Sequence, residues 1–79
     1  MSQDVIDLMC SELTREAFHL PLYDADAREL WMARCVQVLA AIHDPDARAS
    51  QAVNFAMGLA LRGVPSPLVL RQFGTGEQP

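Results

Sequence analysis

The sequence predicts an all-α fold, a compact bundle of three to four helices. Three observations support this class: apolar residues recur at spacings of three and four, a capping residue or a proline stands at each expected helix start, and no segment alternates as a strand would. With 79 residues the chain is short for a domain. We therefore expect a single helical domain over residues 1–73, followed by a flexible tail over residues 74–79.

The first helix is predicted over residues 3–19, with Ser2 as its cap. Pro21 ends it, because proline lacks an amide hydrogen and restricts the residue before it. Leu8 and Phe18 fall on the otherwise polar side of this helix, where apolar residues are not expected. The predicted core face consists of Val5, Ile6, Met9, Cys10, Leu13 and Ala17.

The second helix is predicted over residues 26–43, capped by Asp24 or Asp26. Between residues 30 and 42 only two side chains are polar, so the apolar arc is too wide for one neighbouring helix to cover. This pattern predicts a central hydrophobic helix, packed on two sides. Leu30 lies in its narrow polar stripe and is the second unexpected apolar position.

The third helix is predicted over residues 45–62, with Asp44 as cap, Pro45 at the first helical position and Gly63 at the end, where Val64 packs back on the last turn. The short connection predicts an antiparallel hairpin with the second helix. A short C-terminal helix is expected over residues 68–73. The expected apolar face is alanine-rich, which predicts a close approach to the second helix, and contains Ala49, Ala52, Val53, Ala56, Met57, Leu59, Ala60 and Leu61. The expected solvated side contains Arg48, Gln51, Asn54, Gly58 and Arg62.

Composition narrows the function classes. The net charge is −4 and the six basic residues, all arginines, form no cluster, so nucleic-acid binding is disfavoured. Cys10 and Cys35 lack the CxxC spacing and are expected to be reduced core residues. Without a signal-peptide pattern or an apolar run of ~18 residues, we expect a cytoplasmic protein with no membrane partner. The alanine- and arginine-rich composition is weakly associated with bacterial proteins.

No motif for catalysis, metal binding or cofactor binding is found. His19 and His43 stand near helix ends, where imidazole caps free carbonyls, and they lack the spacing that presents metal ligands on one face. Ser11, Thr14 and Ser50 have no glycine-flanked elbow, and the four glycines form no phosphate loop. The sequence therefore predicts a protein that is not an enzyme and has no cofactor.

The misplaced apolar residues carry the functional prediction. They are expected to form one contact patch near the first connection, unless a loop or the short C-terminal helix covers each of them. This junction set consists of Leu8, Phe18, Leu22, Tyr23, Leu30, Leu70 and Phe73. It predicts a small module that binds another protein, as an adaptor, an assembly or secretion chaperone or an inhibitor of a larger complex, with a homodimer as a further possibility. The alternative is an acidic dimeric regulator, or a nucleic-acid-mimicking inhibitor acting on a DNA- or RNA-binding protein.

Overall fold

A computed structural model of the chain describes residues 2–65, 67, 70 and 71. Over these residues the protein is all-helical, as predicted, with α1 at Gln3–Ala17, α2 at Ala25–Ala40 and α3 at Pro45–Leu61. Near the chain end the Arg71 amide donates to the Pro67 carbonyl over 3.1 Å, one hydrogen bond of helical spacing. The rest of the predicted 68–73 helix and the 74–79 tail lie outside the described residues.

Side-chain caps begin all three helices. The Ser2 hydroxyl accepts from the Val5 amide, and Asp24 and Asp44 accept from the third residue after each of them. These bonds satisfy amides that have no partner inside the helix. Asp24 therefore caps α2, one of the two predicted starts, and α2 ends three residues before the predicted residue 43.

The end of α3 follows the prediction closely. Gly63 has φ +79°, in the left-handed region that glycine adopts without a steric penalty. The Val64 amide donates to the Leu59 carbonyl over 2.9 Å, and the Gly63 amide donates to the Ala60 carbonyl over 3.0 Å. This pair of bonds defines a Schellman motif, and Val64 packs on the core as expected.

Trp31 joins the three helices in the core. Its indole N–H donates to the Leu13 carbonyl of α1 over 3.0 Å, and its ring meets Phe55 of α3 edge to face at 6.4 Å between centroids. The buried apolar residues around it are Ile6, Cys10, Leu13, Ala17, Leu20, Cys35, Val38, Leu39, Ala52, Phe55, Leu59 and Leu70.

The most extensive helix contact is between α1 and α3, whereas the alanine pattern predicted an unusually close approach of α3 to α2. Gly58 explains this packing. It is buried in α3, and a Cβ atom built on it would lie 2.6 Å from the Cβ of Ala17 in α1. The absent side chain lets the two backbones approach, so the prediction that Gly58 is solvated is wrong.

Two polar residues in and directly after α3 that were expected in solvent contact α1 instead. The Gln51 amide donates to the Thr14 hydroxyl over 3.3 Å, and the Arg62 guanidinium donates to the Ala17 carbonyl over 2.9 Å. Both residues are half-buried. Their hydrogen bonds to α1 compensate the cost of partly burying polar groups. The side of α3 that was predicted to face solvent therefore faces α1.

Arg48, also predicted to be solvated, reaches the end of α2. Its guanidinium donates to the carbonyls of Ile42 and His43, at 3.0 and 3.3 Å. These carbonyls follow the last turn of α2, so a cation there satisfies free acceptors and opposes the negative end of the helix dipole.

Candidate protein-interaction surfaces

The junction set divides between surface and core. Leu8, Phe18, Tyr23 and Leu30 are exposed, and Tyr23 is fully so. Leu22 is half-buried and packs against the core cluster. Leu70 is only 1% exposed and is a core residue, so the prediction that it extends the patch is wrong. Phe73 lies outside the described residues.

Three members of the junction set line three different depressions. Phe18 lines the groove between α1 and α3, Leu30 lines a pocket between the end of α1 and the start of α2, and Leu22 lines a pocket beside Leu59. Leu8 points away from the core side of α1, half a turn from the buried Ile6 in projection. Phe18, Leu30 and Leu22 therefore line separate depressions, and the single contact patch stays a prediction.

The outer face of α3 is an apolar surface that the sequence pattern placed in the core. It consists of Val53, Met57 and Leu61, which are 48, 47 and 69% exposed. Spaced by four residues, these side chains follow one another along one side of the helix. Their exposure results from the orientation of α3, whose Gly58 and Gln51 side faces α1.

The outer face of α3 is also free of charge. Only Asp46 and Arg48 are charged in the whole helix, and the Arg48 side chain is bound to carbonyls at the end of α2. The remaining exposed positions of α3 after Asp46 are small or uncharged: Ala47, Ser50, Asn54 and Ala60. Charge depletion with apolar enrichment is typical of the buried centre of a protein interface.

A groove with a volume of about 760 Å³ lies between α1 and α3. Ile6, Cys10 and Phe18 supply apolar walls, whereas Gln3 and Asn54 belong to its polar lining. Asp7 and Arg15 add charged groups to this lining. A groove of mixed polarity is able to hold an extended or polar segment.

The cysteines have the character of core residues. Burial raises the pKa of Cys35 to about 12, and the Glu16 carboxylate acts in the same direction. The pKa of Cys10 is also raised, first by burial and then by Asp7. A thiol that keeps its proton is a poor nucleophile and a poor metal ligand. Within the described ranges, no three His, Cys, Asp or Glu side chains are grouped as a metal site.

Comparisons with known proteins supply no relative. No protein-family model, curated protein or solved structure matches this chain. In the part of the chain that the structure describes, no helix has the length and apolar character required to cross a membrane. The function is therefore inferred from the surfaces described above.

Proposed function

We propose that this chain is a non-enzymatic protein-interaction module that binds through the outer face of α3. The observation that carries the proposal is the exposure of Val53, Met57 and Leu61 along one uncharged side of a regular helix. An adaptor, an assembly or secretion chaperone, and an inhibitor of a larger complex all use such a surface. The buried, protonated thiols are in keeping with a reduced, cytoplasmic setting.

Helical presentation favours recognition by side-chain anchors. Successive apolar residues on one side of a rigid helix are held at fixed spacing, so little conformational entropy is lost when a partner covers them. Met57 is central in this row, and its flexible thioether adapts to an irregular partner surface. We therefore expect Met57 and Leu61 to contribute most of the binding free energy.

The exposed residues of the junction set give weaker support for a binding surface. Phe18, Tyr23 and Leu30 are accessible, and each lines a different depression. Single exposed apolar side chains are common on soluble proteins. Leu8 is a useful reference, because it is exposed to a degree similar to Leu61 but lies on α1.

The alternative function, an acidic regulator or an inhibitor that imitates nucleic acid, has less support, because some acidic side chains of α1 are already engaged within the protein. Glu16 forms an ion pair with Arg34 over 3.3 Å, and the Gln3 amide donates to the Asp7 carboxylate over 2.9 Å. These contacts use part of the negative surface within the protein. A surface that imitates nucleic acid needs its carboxylates free to meet the cations of its target.

Affinity capture with matched variants tests the proposal. The wild-type chain, Met57→Asp and Leu8→Asp are immobilised and exposed to an extract of the native cell, after circular dichroism has shown that all three are folded. We expect a protein retained by wild type and by Leu8→Asp but lost with Met57→Asp. Retention by Met57→Asp together with loss by Leu8→Asp would place the binding surface on α1 and contradict the proposal.

A further inference from the structure

The groove between α1 and α3 results from the way these two helices pack. Their backbones approach closely at Ala17 and Gly58, near the end of each helix. The groove extends toward the start of both helices, where Gln3 of α1 and Ala47 of α3 line it. Because the packing of the helices themselves forms this groove, it exists before any ligand binds.

Charges of opposite sign lie along the α1 edge of this groove. Asp7 and Arg15 are the charged side chains of its described lining, and both are exposed. Eight residues of helix separate them by about 12 Å. In the part of the chain that the structure describes, neither of them belongs to an ion pair. The Gln3 amide donates to one oxygen of Asp7, and a carboxylate accepts several hydrogen bonds. Both charges are therefore accessible to a ligand in the groove.

The other acidic residues of α1 do not line this groove. They are Asp4, Glu12 and Glu16, and Glu16 pairs with Arg34 of α2. The described lining thus carries one negative and one positive charge, which disfavours a polyanion such as nucleic acid. A complementary ligand carries one group of each sign.

The lining between the two charges combines apolar and uncharged polar groups. Cys10 is buried there, together with Ile6 on the same side of α1. Ser11 and Asn54 present a hydroxyl and a carboxamide at exposed positions. These two groups both donate and accept hydrogen bonds, which matches the main-chain amides and carbonyls of a peptide. An extended peptide offers such groups along its whole length and an apolar side chain between them.

We infer that this groove binds an extended peptide segment of another protein, in which a basic, an apolar and an acidic residue occupy alternate positions. An extended chain advances about 3.3 Å per residue, so residues four apart are separated by about 13 Å, close to the separation of Asp7 and Arg15. Alternate side chains point to the same side, so all three enter the groove. The basic residue meets Asp7, the acidic residue meets Arg15, and the apolar residue lies over Cys10.

NMR titration of the isotope-labelled chain tests this inference with three peptides. The first is acetyl-Lys-Thr-Leu-Thr-Glu-amide, and the other two carry Lys at both ends or Glu at both ends. Their capped termini add no charge. We expect the mixed-charge peptide to shift the amide signals of residues that line the groove and to bind about two- to fivefold more tightly than the others. Equal affinity for all three peptides, or no shift of these signals at several millimolar peptide, would overturn the inference.

Charge reversal tests the assignment of the two ends. We expect Arg15→Glu to prefer the peptide with two Lys residues, and Asp7→Lys to prefer the peptide with two Glu residues. Arg28→Glu is the matched control, because Arg28 is exposed, does not line the groove and gives the same net charge as Arg15→Glu. It should retain the wild-type order of affinities. If it changes the order as Arg15→Glu does, net charge governs binding and the inference is wrong.

Met57→Asp separates this site from the outer face of α3. Val53, Met57 and Leu61 do not line the groove, so the inference is independent of the proposed function. We expect folded Met57→Asp to bind the mixed-charge peptide as tightly as wild type. Loss of this binding would place the peptide on the outer face of α3 and contradict the inference.

Discussion

The indole N–H of Trp31 donates to the main-chain carbonyl of Leu13, 3.0 Å away and buried between α1 and α2. Both residues are almost completely inaccessible. The bond attaches the side chain of one helix to the backbone of another, so it restricts how α1 slides or rotates against α2. The same indole ring contacts Phe55, which extends the restriction to α3.

Replacing this indole is expected to destabilise the fold. Trp31→Phe removes the donor and leaves a small cavity, which together cost about 2–3 kcal/mol in the free energy of unfolding. Urea denaturation measures the loss. Leu30→Ala is the neighbouring control, because Leu30 is exposed, and we expect it to change stability by less than about 0.5 kcal/mol. Equal losses in the two variants would contradict the role assigned to Trp31.

Gly58→Ala is expected to destabilise the protein, although alanine favours helix formation over glycine. The new Cβ would lie 2.6 Å from that of Ala17, and overpacking of this kind costs about 1–3 kcal/mol. Thermal unfolding measures the change. Ala17→Gly removes the Cβ atom that the new Cβ at position 58 would contact, so the double variant should recover part of the lost free energy of unfolding. A single variant more stable than wild type would show that α1 and α3 are not in this close contact.

Arg62→Met is expected to lower the free energy of unfolding by about 1 kcal/mol. The substitution retains much of the apolar stem but removes the donor that satisfies the Ala17 carbonyl at the end of α1. Chemical denaturation checks the value. Arg15→Met is a suitable control, because Arg15 is exposed on α1. A comparable loss in the control would indicate a general charge effect and not a helix cap.

Cys35 should resist thiol reagents in the native protein. With its pKa raised to about 12, almost no thiolate is present near pH 8, and the residue is completely buried. We expect Ellman's reagent to modify Cys35→Ala and wild type equally slowly until urea unfolds the chain. Rapid modification of wild type, absent in Cys35→Ala, would show that this part of the core opens readily.

The same thiol makes stability depend on alkaline pH. Because the pKa is 9.0 in the reference state and about 12 in the fold, the unfolded chain loses this proton first. The free energy of unfolding is therefore unaffected by this thiol below pH 9 and decreases as the pH rises from 9 toward 12. Cys35→Ala should therefore lose less stability than wild type between pH 9 and pH 11, measured by urea denaturation. Parallel curves for the two proteins would contradict the raised pKa.

Local chemistry made the helices predictable. The caps Ser2 and Asp44 and the terminal Gly63 act through nearest neighbours, so the sequence alone specifies them. The cap of α2 was predicted only as Asp24 or Asp26, and the structure selects Asp24. Pro45 at the first helical position belongs to the same group. Each of these residues satisfies or removes a backbone group within one turn, without help from tertiary structure.

The orientation of α3 was not predictable in the same way. Apolar residues surround most of this helix, so their periodicity does not distinguish a buried side from an exposed one. The outcome depends on a long-range fit, in which Gly58 admits Ala17 and Gln51 and Arg62 find acceptors on α1. The one available signal was Gly58 itself, since a glycine inside a helix often marks a close approach.

The arginine caps have a consequence for how the chain folds during synthesis. Arg62 donates to the last carbonyl of α1, and Arg48 donates to carbonyls that follow α2. Arg48 lies in α3, and Arg62 is the residue that caps its end. A nascent chain that has released only α1 and α2 lacks both caps and the aromatic partner of Trp31. We therefore expect α1 and α2 not to form stable tertiary contacts at the ribosome exit until α3 has emerged, after which the three helices fold together.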